Sequence, residues 1–423
     1  MMKHRTNLTL ALLLILTACV PGLGTGGGKV EVAQSQAERI AAPDVPAADM
    51  DALNAGNATF TVDLYHAVKG EADNLFFSPY SISTALAMTY AGAREETARQ
   101  MAETLHFTLP AERLHPAFNA LALELAGGDD FVLNVVNSLW GQQGYTFLPE
   151  FLDLLAENYG AGLRLLDFAA ATEAARVTIN DWVSEQTEDK INDLIPQGGI
   201  TPDTRLVLVN AIYFNADWLY PFDKNKTHDA SFTLLDGERV TVPMMDWETP
   251  ERVPYMRGEG YQAVELPYVG GKTSLVLIVP DEGEFAAYEE AFTAEHLTSL
   301  LDDLNPESVA LTMPKFSYDQ NLSLADTLAA LGMPDAVDPA RADFSGMDGT
   351  RNLYIGDVFH KAFVAVDEAG TEAAAATAVV MLECAMPLDD AIKLTVDRPF
   401  IFLIRDTGTG ALLFVGRVEN PAG

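Results

Sequence analysis

The sequence predicts an α+β domain built around large sheets, with helices concentrated early and strands late. Three observations carry this expectation. Apolar residues recur at helical spacing near the start, as at Phe60, Leu64, Ala67 and Val68. Residues 205–214, RLVLVNAIYF, are apolar almost without interruption, which marks a strand buried on both faces. Close to the C-terminus, PFIFLIRD and ALLFVGRV flank Thr407-Gly408-Thr409-Gly410, a hairpin signal.

The elements follow in order. After the helix containing Phe60, residues 74–77 form a short strand-like run. Ser78-Pro79 then supplies a capping hydroxyl and a proline for the first helical turn, with Gly92 closing that helix. Helical character resumes over 97–105, and Ile179, Trp182, Val183 and Gln186 mark a later helix. Residues 273–279 repeat the apolar strand character of 205–214. From 358 to 367 Val358, His360, Ala362, Val364 and Val366 alternate with Phe359, Lys361, Phe363, Ala365 and Asp367, a period of two.

With 423 residues, 48% of them hydrophobic, the chain can bury a large core. Sixty-one acidic residues against 26 basic ones give a formal charge of -35, which repels phosphate backbones and anionic headgroups. Nucleic acid is therefore not an expected partner. The acidity fits either steering of a basic protein partner or a solubilising surface.

At the N-terminus Lys3 and Arg5 precede an apolar run over 8–16, too short to span a bilayer but of the length of a signal-peptide core. It ends in Leu16-Thr17-Ala18-Cys19, similar to a bacterial lipobox, so residues 1–19 read as a lipoprotein signal with Cys19 acylated. Residues 20–50, rich in Gly, Ala and Pro, read as a flexible tether. Gly28-Lys29-Val30 is not a phosphate loop, because the first required glycine falls at Leu23 and Val30 stands where Ser or Thr is needed. Residues 51–423 show no composition break or repeat and read as one domain. If acylation consumes Cys19, Cys384 has no intrachain partner.

The stretch GTEAAAATAVVMLECAMP, residues 370–387, admits several readings: a helix, a buried strand, a thiol nucleophile or an exposed bait. A catalytic Cys384 lacks support, since it follows Glu383 without a glycine elbow, and no G-x-S-x-G segment occurs. The seven histidines show no metal-ligand spacing, and neither a metal nor another cofactor is expected.

Seven segments, in order, carry a resemblance: Asn74-Leu75-Phe76-Phe77-Ser78-Pro79-Tyr80-Ser81-Ile82, Asn180-Asp181-Trp182-Val183, Leu208-Val209-Asn210-Ala211-Ile212-Tyr213-Phe214, Asp343-Phe344-Ser345-Gly346-Met347, His360-Lys361-Ala362, Gly370-Thr371-Glu372-Ala373-Ala374-Ala375 and Asp397-Arg398-Pro399-Phe400. Together they resemble the signatures of the serpins, serine protease inhibitors, over about 55–420. The resemblance implies three β-sheets, eight to nine helices and an exposed reactive-centre loop over about 368–390. It implies an inhibitor rather than an enzyme, whose loop, once cut by a target serine protease, inserts as a new strand into the main sheet. A cysteine protease is a second possible target class.

It also implies site residues. The hinge comprises Glu368, Gly370, Thr371, Glu372, Ala373, Ala374, Ala375 and Ala376; Ala373 to Ala376 are small enough to slide between strands, and Thr371 brings no charge into the sheet. Val379 and Val380 add strand propensity behind it. Ser78, Ser81, Asn210 and His360 match a polar cluster where the sheet opens, the shutter, although Ser78 is equally a helix cap. Trp218 and Glu368 match the top of the sheet, the breach. Counting from Glu368 makes Cys384–Ala385 the reactive bond; a register one residue shorter makes Glu383 the specificity residue. Cysteine suits the pockets of elastase-, chymotrypsin- or subtilisin-like proteases, and its thiol makes oxidation-sensitive inhibition a further possibility. A noninhibitory binding or structural protein on the same fold is the alternative. Between Thr108 and Leu125, where the family's glycan-binding helix falls, the one lysine or arginine is Arg113, so no heparin-like activator is expected. The expected form is a secreted monomer at the cell surface, touching a bacterial membrane through its lipid alone.

Overall fold

The computed structural model describes residues 30–126, 130–247, 249–372 and 391–422. From the N-terminus come β1 (Glu31–Ala33), α1 (Ala47–Val68), β2 (Leu75–Phe77), α2 (Pro79–Tyr90), α3 (Glu95–Thr104), α4 (Ala111–Ala126), β3 (Phe131–Gln142), α5 (Pro149–Tyr159), β4 (Leu163–Leu166) and α6 (Phe168–Gln186). The middle holds β5 (Leu206–Asp217), β6 (His228–Thr233), β7 (Arg239–Asp246), β8 (Glu251–Gly258), β9 (Tyr261–Pro267), β10 (Thr273–Pro280), α7 (Phe285–Glu290) and α8 (Ala294–Asp302). Then follow β11 (Asn305–Pro314), β12 (Phe316–Ser323), α9 (Ala325–Leu331), α10 (Pro334–Val337), α11 (Ser345–Asp348), β13 (Ile355–Val366), β14 (Gly370–Thr371), β15 (Ile392–Thr395), β16 (Phe400–Asp406) and β17 (Leu412–Val418).

The main sheet has seven strands in the order β1-β4-β3-β5-β14-β13-β12. The other ten strands form one hydrogen-bonded network that changes partners along β11, so that it comprises two sheets joined at that strand. Asn305–Val309 of β11 pairs with β8, whereas its C-terminal half pairs with β7 and β15. The described residues hold eleven helices rather than the eight or nine implied, several of them a single turn.

Local chemistry explains the elements. The Ser78 side chain accepts from the Ser81 backbone N–H and caps α2, and Pro79 occupies its first turn. Residues 79–89 of α2 are all buried between the sheets, so the helix needs no polar face. Gly92 follows the C-cap Ala91, and its role is space: a Cβ there would lie 2.1 Å from Met347 Cγ. β5 is buried on both faces over Leu206–Ile212 because α2 packs on one side and α6 with its following link packs on the other.

The tether expected over 20–50 is contradicted across its second half. β1 pairs antiparallel with β4, and α1 begins at Ala47. Between them the Ile40 N–H donates to Glu157 O (2.9 Å), and Asn119 Nδ2 donates to Ile40 O (2.8 Å) while its Oδ1 accepts from Arg39 Nε (2.8 Å). The buried Asn119 amide satisfies backbone groups that a composition rich in Ala and Pro does not advertise.

Candidate functional site

The site is the seam between β5 and β13 in the main sheet. These strands pair directly, in parallel, only from Leu206/Ile355 to Ile212/Ala362. Above that level the ladder between them stops, and Gly370 and Thr371 sit between the two strands as β14, opposite Asp217 and Ala216 of β5 and, for Thr371, Val366 of β13. The first residues of the expected exposed loop are therefore already inside the sheet. This corrects its start: Glu368, Ala369, Gly370 and Thr371 are buried.

Each hinge residue has a physical reason to be there. A Cβ on Gly370 would lie 2.1 Å from Ala216 O, so only glycine fits against β5. Thr371 is 1% exposed, and its hydroxyl shares a hydrogen bond with Tyr268 OH (2.6 Å). Glu372 adopts a left-handed backbone conformation with φ 51, its backbone N–H donating to Ala365 O (2.7 Å) and its carbonyl accepting from Asn215 Nδ2 (2.6 Å). Its carboxylate accepts from Lys190 Nζ (2.7 Å). Burial pushes the Glu372 carboxyl above the usual range, although Lys190 opposes the rise.

The top of the seam is closed by Trp218 and Glu368. The Trp218 indole N–H donates to Asp367 O (2.9 Å), its backbone N–H donates to Ala369 O (2.8 Å), and its ring stacks on Tyr268 at 4.5 Å and 8°. Glu368 accepts from Lys315 Nζ and Thr227 Oγ1, both at 2.7 Å. Burial alone would raise the Glu368 carboxyl, but these donors outweigh it and hold the group below its ordinary value.

Lower down, one polar cluster crosses the seam. Ser78, Ser81, Asn210 and His360 come together there, and Asn137 of β3 joins them. The Ser78 backbone N–H donates to His360 Nε2 (3.2 Å), which places the ring proton on Nδ1, where it donates to Asn210 Oδ1. Asn210 Nδ2 donates to Ser81 Oγ and Asn137 Oδ1, and Ser78 Oγ donates to Leu413 O (2.6 Å). Burial lowers His360 to about 3, so it remains neutral at physiological pH.

On the outer face, the link from α6 to β5 straddles the seam. Asn180 binds the backbone of Ile195 through both amide atoms (2.8 and 2.9 Å), Asn321 Nδ2 donates to Leu194 O (3.0 Å) and Lys361 Nζ donates to Asn192 O (3.1 Å). α6 is fixed from the other side by Arg164 of β4, whose guanidinium lies 4.4 Å from the Trp182 ring centroid and 5.5 Å from that of Trp140.

Sequence reasoning missed Asn137, Lys190, Tyr268, Thr227 and Lys315. Lys315 carried a signal, a single cation between apolar residues where β11 passes into β12. Asn137 carried one too, a polar residue in a strand otherwise rich in Val and Leu. Cys19, Ala373 to Ala376, Glu383, Cys384 and Ala385 lie outside the described residues. Among the described residues no group of His, Cys, Asp and Glu is arranged to hold a metal ion, and no helix is long and apolar enough to cross a membrane.

The model of the family described as Serpin (serine protease inhibitor) matches residues 55–421. The chain belongs to the serpin family. Among its relatives, human leukocyte elastase inhibitor is 39% identical over 382 residues, covering 88% of this chain and all (100%) of that protein. An uncharacterized serpin-like protein of Thermococcus kodakarensis is 41% identical over 372 residues, covering 87% of this chain and 85% of that one. Among solved serpins, the thermophilic serpin tengpin in its native state superposes with a TM-score of 0.82 at 30% identity, covering 92% of this chain and 100% of tengpin. Human thyroxine-binding globulin, solved with its hormone, gives 0.79 at 31% identity, covering 88% and 99%. Serpins as a family are protease inhibitors rather than enzymes, and the relatives include both inhibitors and a binding protein.

Proposed function

We propose that this serpin is a secreted, lipid-anchored suicide inhibitor of serine proteases. The observation that carries the reading is the seam: β14 already occupies the first two positions of a strand between β5 and β13, and above Ile212 and Ala362 those strands do not pair with each other. A loop that continues inward gains ladder hydrogen bonds on both sides. Small residues, Ala373 to Ala376, are next to enter.

In this mechanism the serine Oγ of the target attacks the Cys384 carbonyl. An ester forms, the Cys384–Ala385 peptide bond breaks, and the amine of Ala385 leaves with a proton from the protease's own acid. The inhibitor supplies no catalyst. From Glu368 to Cys384 the 17 residues span roughly 56 Å when extended, so insertion carries the acylated enzyme across the domain before water completes hydrolysis. Cys384 fits shallow or apolar primary pockets, and the elastase named for the human relative is of that class. The one lysine or arginine of α4, Arg113, is paired with Asp49 through Nε at 2.8 Å, which speaks against a heparin-like activator.

A panel of elastase-, chymotrypsin-, subtilisin- and trypsin-like proteases, read by denaturing gels and by the mass of the released peptide, tests the proposal. The expected result is a covalent complex with the first three and a new N-terminus at Ala385. A new N-terminus at Cys384 would replace this assignment with Glu383. A cleaved inhibitor with no complex from any of them would refute inhibition and favour a binding role, for which thyroxine-binding globulin is the precedent on this fold. A Cys19→Ser chain should lose membrane association in its own host; unchanged fractionation removes the anchor.

A further inference from the structure

The register of the main sheet places the N-terminal segment and the hinge at opposite poles. Glu31 of β1 pairs with Leu165 of β4, Leu165 with Gly141 of β3, and Gly141 with Leu206, the first residue of β5. Gly370 and Thr371 pair at the other end of β5, with Asp217 and Ala216. From Leu206 to Ala216 the strand runs about 33 Å. Residues 31–40 are docked on β4, α4 and α5, so they contribute nothing to reach. Residues 20–29 are all that separates Cys19 from Val30, a covalent span of at most about 40 Å.

We infer that the anchored inhibitor is held by the pole opposite its bait, so that the loop faces away from the lipid surface and insertion carries the trapped enzyme toward it. The inference rests on the proposed acylation of Cys19 and on loop insertion. Continuing the register Gly370↔Asp217, Thr371↔Ala216 down β5 would bring Met381 opposite Leu206, the level at which β1 begins. Cys384, with the enzyme attached, would then project about 10 Å beyond that end of the sheet. Laterally, β1 and β14 are separated by β4, β3 and β5, an offset of about 19 Å. A serine protease of about 230 residues is about 45 Å across, wider than the longest gap these ten residues allow between body and bilayer. The arriving enzyme and the lipid compete for the same space, and the short leash sets how completely insertion runs on a membrane.

The test uses four chains: the acylated full-length protein and a chain with a hexahistidine tag in place of residues 1–19, each with its native leash or with twenty Gly/Ser residues inserted between Gly28 and Lys29. The acylated chains are reconstituted in phosphatidylcholine vesicles, the tagged chains on vesicles containing nickel-chelating lipid, and both are compared with the tagged chains free in solution. A soluble chymotrypsin-like protease is titrated against each. The expected result is an acylation rate within about 2-fold on and off vesicles, a stoichiometry of inhibition raised several-fold on vesicles with the native leash, and its return to the solution value with the long leash. Equal stoichiometry for native and long leash on vesicles overturns the inference, as does acylation lost on vesicles. The effect in the tagged chains without flotation of the full-length protein supports the pole geometry and refutes acylation. Absence of complex in solution overturns the inhibitory reading and this inference with it.

Discussion

Replacing Thr371 with arginine tests insertion at the most deeply buried hinge side chain among the described residues. Thr371 is already in the sheet, so the substitution acts twice. In the native protein the guanidinium would have to occupy a site that is 1% exposed and beside Tyr268 OH, with no carboxylate paired to it. Burying an uncompensated ion costs several kcal/mol. Leaving the sheet instead forfeits the hydrogen bonds of Asp367, Thr371 and Glu372 with their neighbours and that of Asn215, together about 4 kcal/mol at the usual worth of each. These figures are comparable, so little or nothing holds the hinge of the Thr371→Arg protein in the sheet, and seating the arginine after acylation carries the burial cost. If about 3 kcal/mol of it is felt in the insertion barrier, insertion slows on the order of 100-fold. Deacylation then wins, and the stoichiometry of inhibition climbs from near one into the tens. Titration of active protease followed by denaturing gels reads the ratio directly, with Thr371→Ser as the control that keeps the hydroxyl. A complex yield from Thr371→Arg equal to the unmodified protein would refute insertion as the inhibitory step.

Acid should destabilise the native form through its buried histidines: burial depresses His360 to about 3 and His115 to about 4. Their contribution is complete above the unfolded value near 6.5 and is lost as pH falls toward the folded values, each costing about 2 kcal/mol by pH 5. Calorimetry should show proton uptake on unfolding at pH 5 and one proton fewer for His360→Gln; equal uptake would contradict the assignment. Arg164→Ala should lower stability by about 1–2 kcal/mol, and Arg164→Lys by less, because the cation against Trp182 adds to the packing of β4 on α6; denaturant midpoints for both variants check this, and an unchanged midpoint counts against it. Cys384→Arg should redirect inhibition toward trypsin-like enzymes, measured by complex formation; trapping that stays with elastase-like enzymes would place the specificity residue elsewhere.

The elements of the fold were legible because their signals are local, whereas the grouping of the shutter residues came from the family resemblance alone. Ser78-Pro79 caps α2, the apolar run of β5 reads as a doubly buried strand, and the alternation through His360 gives β13 its faces. Three features were not legible, each for a pairing reason. β1 is three residues long and becomes a strand only because β4 offers an edge, and Asn119, far away in the chain, completes the docking. Lys190 meets Glu372, and Lys315 meets Glu368, across distances in sequence that no periodicity encodes. The entry of Gly370 into the sheet depends on the missing Cβ against Ala216 O, a constraint visible only once β5 lies beside it.

The contacts that close the seam set the order in which an incoming strand must break them. Trp218 and the Glu368 pair already coexist with β14, so the first two residues need no rearrangement at the top. The next new positions fall beside Phe214 and Tyr213, where β5 is not paired with β13, so once the Glu372 backbone becomes extended and releases Asn215 Nδ2 they gain partners without opening that ladder. From Ile212 downward the direct β5–β13 pairing must be opened, and following the same register Thr377 would arrive opposite Asn210, where the His360 Nδ1–H to Asn210 Oδ1 bond crosses the seam. The bonds from Lys361 and Asn321 to the α6 link must release on the outer face at the same depth. All of these are individual hydrogen bonds of about 1 kcal/mol, broken as the new strand supplies two ladders in their place. On the proposed mechanism the barrier therefore lies at the depth of the polar cluster, six residues beyond the buried hinge threonine, and the left-handed backbone of Glu372 and the ladder from Ile212 downward hold the native state against further insertion.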